Sequence, residues 1–183
     1  MTLLSNDTQG LRLAAQAALE LGKREREECW RADPWTWIQD RVNLLDPLAS
    51  GNQIAPFPAF PYLKALINEI HTNKVIVVWK SRRVIASWAS LTYAVWLATL
   101  FPNMRVFLIS RKEGESDSEG SRELVWRCKW LTDNLRNGPT EIYEGGKLVI
   151  KYANGSTING VSSDPNAMRS VSANFVIADE FAF

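Results

Sequence analysis

The sequence predicts an α/β fold in which a mostly parallel sheet is flanked by helices. Two observations carry the prediction. Apolar, β-branched runs alternate with helix-period segments between positions 75 and 135, the pattern of buried strands joined by crossover helices. A further apolar run, FVIA, ends in two adjacent acids, as a buried strand does where its carboxyl end meets solvent. Composition agrees with one globular domain: 183 residues, 46% of them hydrophobic. The 21 Lys+Arg and 20 Asp+Glu leave a net charge of +1. No global field then announces a nucleic-acid partner, and such binding would rest on local basic patches. Cys29, Cys128 and the single His71 lack the paired spacing of a structural zinc site and suit a reducing compartment. No apolar run approaches about 18 residues, and the N-terminus lacks a basic and apolar leader, so a cytosolic chain with no membrane span is expected.

Taken in order, Leu13, Ala14, Ala17, Ala18 and Leu21 recur at helical spacing between Leu11 and Trp30, ahead of the charged run KREREE. This reads as an amphipathic helix ending in a solvated stretch. The segment 33–61 holds prolines at 34, 47, 56, 58 and 61 and reads as an irregular lead-in arm rather than core. Pro61 opens a helix with Leu63, Leu66, Ile67 and Ile70 on one face. VIVVW (75–79) reads as a buried strand, KSRRVIAS as a loop, and Ser87–Leu100 as a strongly apolar helix with Pro102 beyond its end. RVFLIS (105–110) is the next strand. A polar loop follows, then a helix from about Ser121 to Leu135 that stops before Asn137-Gly138-Pro139. Within 141–162, Gly145-Gly146 and Asn154-Gly155 predict hairpin turns. These elements divide into an N-terminal helix and lead-in arm over 1–58 and a core over 59–183.

The chemistry concentrates in two places. A strand running through a loop into a helix presents free backbone N–H groups and the positive end of the helix dipole, which suits phosphate. Residues 80–87 do not obey the strict pattern G-x-x-x-x-G-K-[ST]: only Ser87 matches. What remains is a hydroxyl at Ser87 suited to Mg²⁺ and three long cations, Lys80, Arg82 and Arg83, within reach of phosphate oxygens. A basic turn between a strand and a helix accounts for the same residues without a ligand. The second place is Asp179-Glu180 at the end of FVIA, where an Asp can hold Mg²⁺ and a following Glu can orient an attacking water. Taken alone, an acidic strand end is simply solvated. Together the two motifs would meet at the carboxyl edge of one sheet, giving a P-loop NTPase-like fold.

KSRRVIASW resembles the Walker A loop of bacteriophage terminase large subunits in which the phosphate-binding lysine is displaced to the start of the loop. ADPWTWIQD, LLDP and FPAFPYLKAL resemble the segment before that loop, FLISRKEGES the next strand and loop, and NGSTINGVSSDPNAMRSVSANFVIADEFAF the block ending in Walker B. The resemblance spans about 33–183, in the family's order. It implies that residues Lys80, Ser81, Arg82, Arg83, Val84, Ile85, Ala86, Ser87 and Asp179 bind ATP. Lys80 would lie on the β/γ-phosphates, Ser87 and Asp179 would serve Mg²⁺, and Glu180 would be the catalytic carboxylate. The partners it implies are double-stranded DNA, portal protein and procapsid, the small terminase subunit, and further copies of the chain in a motor. The place of action would be the host cytoplasm and, transiently, the procapsid portal.

The sequence departs from the family at identifiable points. Ile85 stands where many members have Gly, Tyr62-Leu63 lies near where a Gln often reads adenine, and Ser170 follows Arg169 where Arg-Gly is common. Tyr62 or Phe60 offers a face for base stacking instead. Arg169 is kept as a candidate functional arginine. Arg111 and Lys112 are candidates for DNA phosphate or a neighbouring subunit's nucleotide, set against an ordinary solvated loop. The eight Trp are expected in the core. Phe183 follows the Walker B acids by three residues, so the fold is expected to be incomplete at the C-terminus, with no nuclease domain in the chain. Two other readings remain open: a helicase-like or other P-loop DNA translocase, and a truncated, non-catalytic remnant that binds nucleotide or a partner.

Overall fold

In the computed structural model the described residues are 5–45, 54–81, 85–110, 119–136, 143–161 and 172–179. Helix α1 (Ser5–Ala32) starts earlier than its apolar periodicity suggests and projects from the body. Leu11, Leu13, Leu19 and Leu21 all remain exposed, and among the described side chains of the helix only the C-terminal Trp30 is buried. Asp33 then stops one helix and starts another. Its carboxylate accepts from the Trp35 amide at 2.9 Å and the Thr36 hydroxyl at 2.6 Å, with Pro34 in the tolerated first position of α2 (Pro34–Arg41). A short antiparallel ribbon follows, β1 (Asn43–Leu45) with β2 (Ile54–Pro56).

The lead-in segment is not an arm outside the core. Trp35, Trp37, Ile38, Val42, Leu44 and Phe57 are buried in the same cluster as the central helix. Pro34 and Pro61 open helices and Pro56 closes β2, and the aromatic and aliphatic residues between them gain from burial.

Helix α3 (Pro61–Thr72) buries Leu63, Ile67 and Ile70 as their spacing requires. Helix α4 (Ala86–Leu100) is apolar on all sides and is packed by α2, α3, the sheet and α5 (Glu119–Asp133). The sheet is mixed. Strands β4 (Tyr143–Gly145), β5 (Val149–Tyr152) and β6 (Thr157–Val161) run as successive antiparallel neighbours through the two expected turns. Strands β3 (Arg105–Ser110) and β7 (Phe175–Asp179) extend it in parallel, giving the order β4-β5-β6-β3-β7. The expected mostly parallel sheet is therefore only half parallel, because the hairpins join the same sheet instead of standing apart.

Both α4 and α5 lie on one face. Phe175 meets Tyr93 of α4 with ring centroids 5.2 Å apart. Its neighbour Val106 pairs with Ile158, two residues before Gly160, whose backbone lies against Val125 and Ser121 of α5. On the opposite face Val176 and Ala178 are exposed.

Residues 75–79 are a correction. The predicted strand VIVVW belongs to no ladder, and Val75, Val77 and Trp79 are 84%, 89% and 100% exposed, while Ile76 packs on the core. A strand is defined by the partner that satisfies its backbone. Among the described residues β7 pairs only with β3, and no strand forms a ladder with 75–79. Trp79 also breaks the expectation that the tryptophans are core residues, which Trp30, Trp35, Trp37 and Trp96 obey.

The turn between β5 and β6 anchors the end of α4. Asn154 Nδ2 donates to the carbonyls of Ala98, Thr99 and Phe101 at 2.9, 3.3 and 3.2 Å, closing carbonyls that a helix end leaves open. Gly155 has φ +85°, and a Cβ there would lie 2.4 Å from Asn103 Oδ1. Asn154→Ala should lower the unfolding free energy by about 1–3 kcal/mol, and Gly155→Ala should act in the same direction. Urea denaturation checks both, and unchanged midpoints would mean that this turn does not hold the helix.

Candidate functional site

The parallel strands end together. Ser110 of β3 stands in register with Asp179 of β7, and β6 ends beside them at Val161. The start of α5 is pinned to this edge: the Ser110 amide donates to Ser121 Oγ at 3.2 Å, and that hydroxyl donates to Val161 O at 2.5 Å. Gly120 lets the backbone come this close, since a Cβ there would sit 2.9 Å from Ser110 Oγ. The carboxyl edge of parallel strands facing helix N-termini is where α/β proteins bind ligands.

Lys80 joins the two predicted motifs at this edge. Its ammonium donates to Ser87 Oγ at 2.6 Å and to Asp179 Oδ1 at 2.6 Å, the latter across 99 residues of sequence. The side chains of Lys80 and Asp179 are 29% and 13% exposed. Ser87 lies in the first turn of α4, just after the buried Ala86. Among the described residues no side chain caps that helix, and its first turn holds no acid. The edge therefore offers amide donors, a hydroxyl, a carboxylate and a cation in one small region.

Ile85 precedes α4 with φ 59° and ψ 5°. This is the left-handed conformation that glycine adopts freely and a β-branched residue resists. The backbone thus keeps a shape suited to Gly at the position where the sequence has Ile.

Ser81 is exposed beside Lys80. Arg82, Arg83, Val84 and Glu180 lie outside the described residues, as do Arg111, Lys112 and Arg169. Phe60 and Tyr62 stack on each other, centroids 5.6 Å apart and planes 11° off parallel, and are about half exposed. Sequence reasoning did not single out Ser110, Gly120 or Ser121. The signals were present, a Ser closing FLIS and a Gly-Ser pair opening the next helix, but neither residue type marks a strand edge by itself.

Elsewhere the chemistry is structural. His71 Nδ1 lies 3.2 Å from the Tyr93 hydroxyl, and its ring meets the edge of Trp96. Burial raises the pKa of the Tyr93 hydroxyl above its ordinary value. It raises that of the fully buried Cys128 thiol much further, which removes that thiol as a nucleophile. Among the described residues no three His, Cys, Asp or Glu side chains gather as a metal cluster, and no helix is long and apolar enough to cross a membrane.

The sequence matches no protein-family profile, and no curated protein is significantly similar to it.

Left-handed backbone costs an L-residue about 1–2 kcal/mol, so Ile85→Gly should leave the unfolding free energy unchanged or raised although it deletes an apolar side chain. Thermal and urea unfolding of the variant measure this. A loss of more than about 2 kcal/mol would show that the packing of Ile85 outweighs its strain.

Proposed function

We propose that the chain is the ATPase part of a DNA-packaging terminase large subunit, coupling ATP hydrolysis to movement of double-stranded DNA through a portal into a procapsid. One observation carries the reading. Ser87 and Asp179, chosen from two motifs at opposite ends of the core, both lie within hydrogen-bond distance of the Lys80 ammonium, at the carboxyl edge of parallel strands and the N-terminus of α4. An incidental basic turn and an incidental acidic strand end have no reason to meet there.

The donor set fits Mg²⁺. Ser87 Oγ and Asp179 Oδ1 are hard oxygen ligands that converge on a single point, both lying 2.6 Å from one nitrogen. Held by Ser87 and Asp179, Mg²⁺ would supply charge to offset that of the ATP phosphates. The chain's own residues supply the rest. Lys80, with Arg82 and Arg83, neutralises phosphate oxygens, and the amides opening α4 donate to them. Glu180, next after Asp179, orients the attacking water and takes up its proton. Phe60 and Tyr62 offer aromatic faces to the base.

DNA, the portal protein, the procapsid, the small subunit and additional copies of this chain are the partners of this reading. Their contacts involve local patches, since the net charge of +1 provides no general attraction to DNA.

Glu180→Gln should keep ATP binding and lose about 10²-fold or more of turnover, whereas Lys80→Ala should weaken binding itself. Equilibrium binding of a fluorescent ATP analogue and steady-state phosphate release separate the two effects. Equal rates in the wild type and both variants, after contaminant controls, would overturn the assignment.

A further inference from the structure

The Lys80 ammonium joins the other two groups of the carboxyl edge directly. Lys80 was expected to contact phosphate, and Ser87 and Asp179 to contact a divalent cation. Instead the ammonium itself bridges Ser87 Oγ and Asp179 Oδ1 at 2.6 Å each. We propose that in the nucleotide-free chain the Lys80 ammonium occupies the divalent-cation position, so that metal enters only as the phosphates draw Lys80 away. This rests on Ser87 and Asp179 being the metal's protein ligands, as in the function proposed above.

The physical basis is mutual exclusion. A divalent ion needs the lone pairs that point at Nζ, and its oxygen distances are shorter than those of the ammonium, about 2.0–2.1 Å for Mg²⁺. The two cations therefore compete for the same donors, and close approach of both is opposed by their like charge. Lys80 carries out the exchange because its four-carbon stem is flexible and its ammonium is a point charge without fixed bidentate geometry. The polyphosphate of ATP offers several anionic oxygens to replace the single carboxylate oxygen of Asp179. The site is thus closed to free metal and opened by the metal–nucleotide complex. Nucleotide-free Asp179 also keeps a counter-charge despite being largely shielded from water.

The test uses the full chain and Mn²⁺ alone as the probe, without nucleotide, read by the electron paramagnetic resonance signal of free Mn²⁺. Lys80→Met keeps the length of the side chain and removes its charge. It should bind Mn²⁺ at least about tenfold more tightly than the wild type, and adding Asp179→Asn should abolish the gain. A Lys80→Met chain that binds no more tightly than the wild type overturns the proposal. If Lys80→Met fails to fold, Asp179→Asn carries the test by mass spectrometry. Release of the ammonium should raise acylation of Lys80 several-fold above the wild-type rate, and an unchanged rate overturns the proposal.

A separate titration of the wild type with Mg²⁺ and a non-hydrolysable ATP analogue distinguishes this failure from failure of the ATPase reading. Metal gain in Lys80→Met without nucleotide binding would remove the ATPase reading, and with it the release of Lys80 by phosphate, and leave only the competition between the ammonium and the metal. Nucleotide binding without metal gain would do the reverse.

Discussion

The structure is organised by a helix that has no solvent side. Helix α4 is packed by α2, α3, α5 and three strands, and Leu91, Thr92, Ala94, Val95, Trp96 and Ala98 are almost completely buried. Such burial requires partners for the polar side chains that α4 carries inside. Thr92 and Thr99 donate back to the carbonyls of Trp88 and Val95, and Trp96 Nε1 donates to Trp30 O at 2.8 Å. That last bond also fixes where the projecting α1 leaves the body. With α4 held on all sides, its first turn has a fixed position relative to the strand ends, and this fixed position lets Ser87 face Asp179 across the sheet edge.

The strain at Ile85 belongs to the same constraint. A β-branched residue does not remain left-handed unless its surroundings determine the backbone for it. Here the carbonyl of Ile85 accepts the first helical bond from Ala89 at 2.9 Å, and Ala86 and Ala89 are buried immediately after it. The core therefore sets the geometry of the turn and the turn tolerates an unfavourable residue. This separates two properties that glycine would supply together: the backbone shape, which is retained, and open space beside the amides, which a branched side chain reduces.

Much of the fold could be read from the sequence wherever the signal was local. Pro61, the apolar face of α3, the strand RVFLIS and the turns at Gly145-Gly146 and Asn154-Gly155 all depend on neighbouring residues, and they stand close to where pattern and turn chemistry place them. Strand pairing is not local. VIVVW has the composition of a buried parallel strand, but composition does not provide a ladder, and the run remains unpaired with Trp79 exposed. The lead-in segment erred in the opposite direction. Its prolines suggested loose chain, while Trp35, Trp37 and Phe57 carry enough apolar surface to join the core. For the site, the residue types at 80, 87 and 179 were legible and their meeting was an inference from topology. The pairing of Lys80 with Ser87 and Asp179 was not legible, because a motif names a residue's role with ligand bound and says nothing of where its charge rests otherwise.

That resting place ties the site to the least supported part of the body. Residues 75–79 have no ladder, and Ile76 is the part of the run that packs on the core. The next residue, Lys80, holds the segment's end against the sheet through Asp179 and against α4 through Ser87. An ion pair that is partly open to water is individually weak and is screened by salt. Its influence here comes from position, since it is the polar link from an otherwise unpaired run to the two elements forming the carboxyl edge. The same two bonds therefore fix the charge at the site and the end of the chain segment leading into it. Any ligand that takes the ammonium from Asp179 changes both together.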